Sequence, residues 1–319
     1  DDHYPCIPAS NPAFPYWQRN LLEMDPPPVE RLKTGLEHAD ALVSPSHVIL
    51  EDWKDVVPGY FWPNYPALGD YKDIPRKLPH VGVDMAFDYR EGPDGQPEPF
   101  SVEVPDSRGW TVIGWGGSVS HMDGFTYSGV IPALGRLMRE DPKIHFKLGG
   151  YDDRLKFLID QLPEDQVIRQ RGMDPVHWPL VLSTFDIGIA PMDTRPTESV
   201  VGKVEGLSYD ERRSWLKLVE YLCAGIPFVA TDCAPYKELG RFGKLVENTE
   251  QAWYEALKSR VDGLESFHRK AMEDRQYALR KLTQEPNAER LIRLYTRIGE
   301  ECQVRRQGAR LPNVIYVDA

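Results

Sequence analysis

Lys217 and Glu220 stand three residues apart, and Ser214 stands three residues ahead of the lysine. On a helix that spacing puts the ammonium and the carboxylate on one face. Serine is a good N-cap, so a helix opening at Ser214 would present N–H groups, a hydroxyl and an ammonium together. That combination suits a diphosphate. A carboxylate in the second turn can accept both hydroxyls of a ribose diol. One alternative is a solvated Lys–Glu pair on an ordinary surface helix. Another concerns the helix start: Ser208 and Glu211 have capping-box spacing, and a helix opening there would leave Ser214 in its middle.

The elements that must position these groups are legible around them. Trp215 to Cys223 reads as a short helix with apolar Leu216, Val219, Tyr221 and Leu222. Gly225 stands just past its end, where a left-handed residue is wanted, and Pro227 forbids continuation. Pro227 to Thr231 is a short apolar run, expected to be a buried strand ending at Asp232. Helix, glycine stop and buried strand make half of an α/β unit.

The stretch from Ser214 to Asp232, SWLKLVEYLCAGIPFVATD, resembles the donor-site segment of family 4-type glycosyltransferases with the GT-B fold. Their pattern is serine, two residues, lysine, two residues, glutamate–tyrosine, then a small residue, Gly-x-Pro and valine. The resemblance implies retaining, metal-independent transfer of a sugar from a nucleotide-sugar donor, with no cofactor. Lys217 and Glu220 would be the residues acting on the donor. The acceptor, whether glycan, lipid or protein, is left open. The wider family also carries an earlier glutamate, seven residues intervening; here that position falls on Arg212, so its donor-sugar contact lacks its residue.

A second constellation is IGWGGSVSHMD, Ile113 to Asp123, after an expected strand. A glycine pair lets backbone N–H groups approach an anion closely. It resembles the glycine loop of the same enzymes, which implies donor contacts from Gly116, Gly117, Ser118 and His121. His121 is otherwise a surface loop histidine, and Asp123 a plain N-cap. Arg169 to Pro175 lies between a strand and a helix; by the same resemblance Arg169 and Gly172 would flank the nucleotide base, and otherwise the loop is an ordinary connection with solvated arginines. A NAD-dependent oxidoreductase is disfavoured, because from Gly114 the sixth position of G-x-G-x-x-G is Val119. A non-catalytic nucleotide- or partner-binding module is the other alternative.

From Trp110 onward, strands alternate with helices at the spacing of a doubly wound parallel sheet. Strands are expected at Thr111–Trp115, Ile144–Leu148, Val167–Arg169, Phe185–Ala190 and Lys244–Val246. Helices are expected at about Phe125–Arg139, Asp152–Gln161, Asp174–Ser183, Thr249–Val261 (capped by Asn248 with Gln251), Leu264–Thr283 and Ala288–Gln307. Residues 192–207 form a polar loop, expected to be a lid. Upstream, helix (Val29–Ala39), strand (Ala41–Ser44), helix (Ser46–Val57) and FWPNY resemble the last third of a GT-B N-terminal domain. The chain is therefore expected to be N-terminally incomplete. The expected division is residues 1–78 (partial acceptor-side domain), 79–285 (donor domain, with a hairpin of Val81–Tyr89 and Phe100–Val104) and 286–319 (a helix and tail returning to the first part).

The net charge of −11 over 319 residues argues against a nucleic-acid surface. The four cysteines form no CxxC pair and no zinc spacing, which fits reduced thiols in a cytoplasmic protein. No apolar run approaches a membrane span, leaving only peripheral membrane association open. Asp1, Asp2 and His3 sit at a terminus and are assigned no role.

Overall fold

The computed structural model describes residues 3–74, 88–91, 97–100, 109–171, 177–197, 205–308 and 314–315. Helices α1 (Phe14–Trp17) and α2 (Pro28–Glu37) precede β1 (Leu42–Ser44), α3 (His47–Trp53), β2 (Gly59–Phe61) and α4 (Leu68–Lys72). Strands β3 (Asp88–Glu91) and β4 (Pro97–Phe100) form an antiparallel hairpin; residues 81–87 and 101–104 of the expected hairpin lie outside the described residues. Then come β5 (Thr111–Gly116), α5 (Met122–Tyr127), α6 (Val130–Glu140), β6 (Ile144–Tyr151), α7 (Lys156–Ile159), β7 (Val167–Arg171), α8 (Trp178–Leu182) and β8 (Ile187–Ala190). The rest is α9 (Leu216–Ala224), β9 (Phe228–Thr231), β10 (Lys244–Val246), α10 (Glu250–Asp262), α11 (Leu264–Lys281), α12 (Gln284–Arg306) and β11 (Val314–Ile315).

The larger sheet has the order β10-β9-β8-β5-β6-β7, and every pairing in it is parallel. The expected doubly wound sheet is what forms. Its central strands are buried along their length because helices cover both faces. On one face Leu134, Leu137, Trp253 and Leu257 of α6 and α10 pack on Ile113, Phe146 and Ile189. On the other, Leu182, Leu218 and Leu222 of α8 and α9 pack on Val112 and Phe228. The chain steps outward from β5 to β7 and then returns to β8 beside β5. Strand order reverses there, and in such sheets a crevice opens at the carboxyl ends of the strands flanking the reversal.

The smaller sheet, β1-β2-β11, is also parallel. Helix α12 lies against it, with Leu294 and Ile298 on Tyr60. Among the described residues no helix is long and apolar enough to cross a membrane.

Several elements differ from expectation for local reasons. The helix expected from Phe125 breaks at Gly129, whose φ of 84° is left-handed, giving α5 and α6. Helix α12 opens four residues early, because Pro286 falls in its first turn, where the missing N–H costs nothing. Thr249, not Asn248, caps α10, accepting from the Ala252 N–H at 3.2 Å. Asn248 instead donates to the Met192 carbonyl and accepts from the Thr231 hydroxyl. Asp174 and Pro175 lie outside the described residues.

Candidate functional site

The expected capping box exists, but it caps a separate turn. Ser208 Oγ accepts from the Glu211 N–H at 3.0 Å, and Glu211 accepts from the Ser208 N–H at 3.1 Å. They fix a single 3₁₀ turn, Asp210–Arg212. The chain then extends through Arg213 before α9 begins at Leu216. Ser208→Ala should therefore lower stability by about 1 kcal/mol, measurable by urea titration, without touching the start of α9. Gly225 closes that helix at φ 73°, as its position predicts.

A cleft of about 1420 Å³ opens over the carboxyl ends of β5, β6 and β7, at the reversal of strand order. Of the residues singled out in the sequence, Gly116, Gly117, Ser118, Lys217 and Glu220 line it. Facing them is the connection from Trp62 to Tyr71 and the start of α12. The glycines permit close approach. A Cβ on Gly116 would stand 1.6 Å from the Trp178 ring, and one on Gly117 3.1 Å from Lys217 Nζ.

Lys217 donates to the Gly116 carbonyl and lies 4.9 Å from the Trp115 ring centre. Burial brings its ammonium down to about 8; Glu220 opposes that shift and Arg213 adds to it. Burial pushes the Glu220 carboxyl up to about 7, against Lys217 and hydrogen bonds from Trp178 and Tyr71. The Tyr71 hydroxyl is 3.4 Å from Glu220 Oε1. The pair is therefore not a solvated surface pair. It is a half-buried cation and anion, each close to its titration point near neutral pH, beside a glycine loop. This arrangement can hold an anion at Lys217 and hydroxyls at Glu220.

Three of the expected donor contacts do not line the cleft. Ser214 is buried, its Oγ accepting from Asn64 Nδ2 at 3.1 Å and more weakly from the Leu216 N–H at 3.4 Å. It ties the Trp62–Tyr71 connection to the start of α9. His121 is engaged by Arg213, whose Nη1 lies 2.6 Å from the ring. Burial, then the Arg213 and Lys217 charges, keep that imidazole well below its usual pKa, hence neutral. Arg169 is exposed, whereas its neighbour Gln170 is buried and lines the cleft. Adjacent strand residues point to opposite faces, so the inward position on β7 is Gln170. Gly172 lies outside the described residues.

Sequence reasoning missed Asn64, Tyr71, Gln170, Trp178 and Arg213. Three had a nearby signal: Arg213 stands next to Ser214, Gln170 next to Arg169, and Asn64 lies within FWPNY. Arg212, at the position of the absent glutamate, faces away and pairs with Asp52 of α3 at 2.9 Å, both fully buried. His3 approaches the same carboxylate at 3.5 Å, and Cys6 Sγ lies 2.8 Å from its other ring nitrogen. These three residues are the metal-ligand grouping among the described residues. The Arg212 charge already on Asp52 opposes a second cation there.

No family model matches the chain, and no curated protein matches it. Solved structures do resemble it. The sucrose-phosphate synthase of Thermosynechococcus elongatus superposes with a TM-score of 0.58 at 14% identity, over 90% of this chain and 65% of that one. HepE of Anabaena, solved with UDP and glucose, gives 0.58 at 14%, over 83% and 67%. A glycosyltransferase of Rickettsia africae gives 0.55 at 14%, over 84% and 67%. The chain thus spans about 65% of the length of the synthase. The shared fold is that of the GT-B glycosyltransferases.

Proposed function

We propose that this GT-B chain transfers a sugar from a nucleotide-sugar donor, with residues 79–285 as the donor domain and residues 1–78 with 286–319 on the acceptor side. The observation that carries this reading is the meeting of Lys217, Glu220 and the Gly116–Gly117 loop in one cleft at the reversal of strand order. Lys217 and the loop N–H groups stabilise the departing diphosphate, as positioned donors do for developing negative charge. Glu220 accepts from the ribose diol. HepE, of the same fold, is seen with UDP-glucose in a further structure, which supports a nucleotide-sugar as the donor class. Retention of anomeric configuration rests on the resemblance of residues 214–232 to the family 4 segment. The acceptor is a glycan, a lipid or a protein, reached by a cytoplasmic enzyme free in solution or peripheral to a membrane.

The test is incubation of the 319-residue chain with UDP-, GDP- and ADP-sugars, following release of the nucleoside diphosphate. Release from one donor class is expected. Binding without release favours a non-catalytic module. The sheet order is also that of dinucleotide-binding folds, so tight NAD binding with no nucleoside-diphosphate affinity would favour the oxidoreductase alternative.

We also propose that the leaving group needs no metal, since no Asp-x-Asp marks a strand end from Trp110 onward. Donor hydrolysis should survive excess EDTA. Loss with EDTA and recovery with Mn²⁺ would refute this.

A further inference from the structure

We propose that the N-terminal segment, residues 3–17, is a strap that holds the glycine loop in its anion-binding shape, with Asn11 as the positioning residue. This rests on the donor-site reading above and adds to it a group outside the cleft.

Asn11 is 2% exposed, and its Nδ2 donates to the Ser120 carbonyl at 3.0 Å. Its Oδ1 accepts from the Ala13 N–H at 2.9 Å, which fixes the amide orientation. Arg213 reaches Ser120 from the other side, with Nη2 3.2 Å from the hydroxyl and 3.4 Å from the carbonyl. Ser120 in turn shares a 2.6 Å hydrogen bond with Ser118, which lines the cleft beside Gly117. On the strap, the Ser10 hydroxyl lies close enough to Asp123 to favour its charged form. The loop carbonyl at Ser120 is thus held toward the strap and Arg213. A carbonyl dipole turned the other way would present negative charge to an incoming diphosphate.

The strap is itself anchored. Cys6 and Ile7 pack on Tyr209, whose hydroxyl accepts from Arg213 at 3.2 Å. Gln18 Nε2 donates to the carbonyls of Tyr4 and Pro5, folding the segment back on itself. Tyr4 stacks on Trp17 at 3.8 Å. An anchored amide, not a mobile one, meets the loop.

The test separates the diphosphate from the rest of the nucleotide. UDP, GDP and ADP are titrated into the wild-type chain, Asn11→Asp, Asn11→Ala and Ser10→Ala, each beside its own nucleoside. Asn11→Asp keeps the acceptor for Ala13 and removes the donor to Ser120. Ser10→Ala changes an exposed residue and keeps the chain foldable if the Asn11 variants are not. For the Asn11 variants a roughly five- to tenfold loss of diphosphate affinity is expected, the scale of one hydrogen bond. Nucleoside affinity should stay within about twofold, and Ser10→Ala should show the same split at smaller size. Equal losses for diphosphate and nucleoside, or no loss in any variant, overturn the strap role. If Lys217→Ala is also without effect on diphosphate affinity, the donor-site reading falls too; if Lys217→Ala weakens it and the strap variants do not, only the strap role fails.

Discussion

Lys217→Ala will weaken nucleoside-diphosphate binding by about 1.5–3 kcal/mol, the range for a hydrogen bond to a charged group. The lysine reaches the cleft from the first turn of α9, against the glycine loop, where neighbouring protein excludes much of the water that would otherwise screen it. Its ammonium titrates at about 8 in the free protein. Charge on Lys217 is complete below that value and is lost as pH rises through it. Wild-type affinity should therefore fall on the alkaline side of about 8, and the alanine variant should lack this limb. Calorimetric titration across pH measures both effects. Equal affinity in the two proteins would remove Lys217 from the site.

Glu220→Gln is expected to cost a similar amount, again about 1.5–3 kcal/mol, but only for ligands that carry a ribose 2′-hydroxyl. A carboxylate accepts from two hydroxyls, whereas the amide accepts at one oxygen only. Removing the 2′-hydroxyl should cost the wild type heavily and the variant little. A double-mutant cycle between Glu220→Gln and the 2′-deoxy ligand reads this coupling directly. Coupling near zero would end the ribose role. The pH dependence runs opposite to that of the lysine. Burial sets the Glu220 carboxyl at about 7, so the accepting carboxylate is present above that value and lost as pH falls through it. Wild-type affinity should peak between about 7 and 8. The acid limb should vanish in Glu220→Gln, whose amide does not titrate.

Lys217 and Glu220 were legible because their signal is local: helix spacing, a glycine stop and a buried strand lie within one short stretch. The glycine loop was legible for the same reason, following directly on a strand. Arg169 misled because VIRQR has no clean alternation, and the phase of a five-residue strand is set by what it packs against. Ser214 has the right residue type but stands one residue before the N-cap, Trp215, and Asn64 claims its hydroxyl from a remote part of the chain. Tyr71 and Trp178, which bond the Glu220 carboxylate, come from two other elements that only the tertiary fold brings to α9. Nothing periodic marks residues 3–17, whose order comes from polar contacts and stacked rings.

The smaller sheet also bears on how the molecule assembles during synthesis. Strand β2 has β1 on one side and β11 on the other, the latter pairing Val314 with Gly59 and Ile315 with Tyr60. Tyr60, fully buried, is covered by Leu294 and Ile298 of α12. Neither β11 nor α12 exists when β2 leaves the ribosome, and the whole six-stranded sheet is translated before them. The six-stranded sheet depends on no residue beyond β10 for its strands and can pair earlier. The early-made strands β1 and β2 are therefore the last to be sealed, and until then they present an open edge. Such edges invite pairing with other chains, so a nascent chain stalled before α12 is the form most exposed to aggregation.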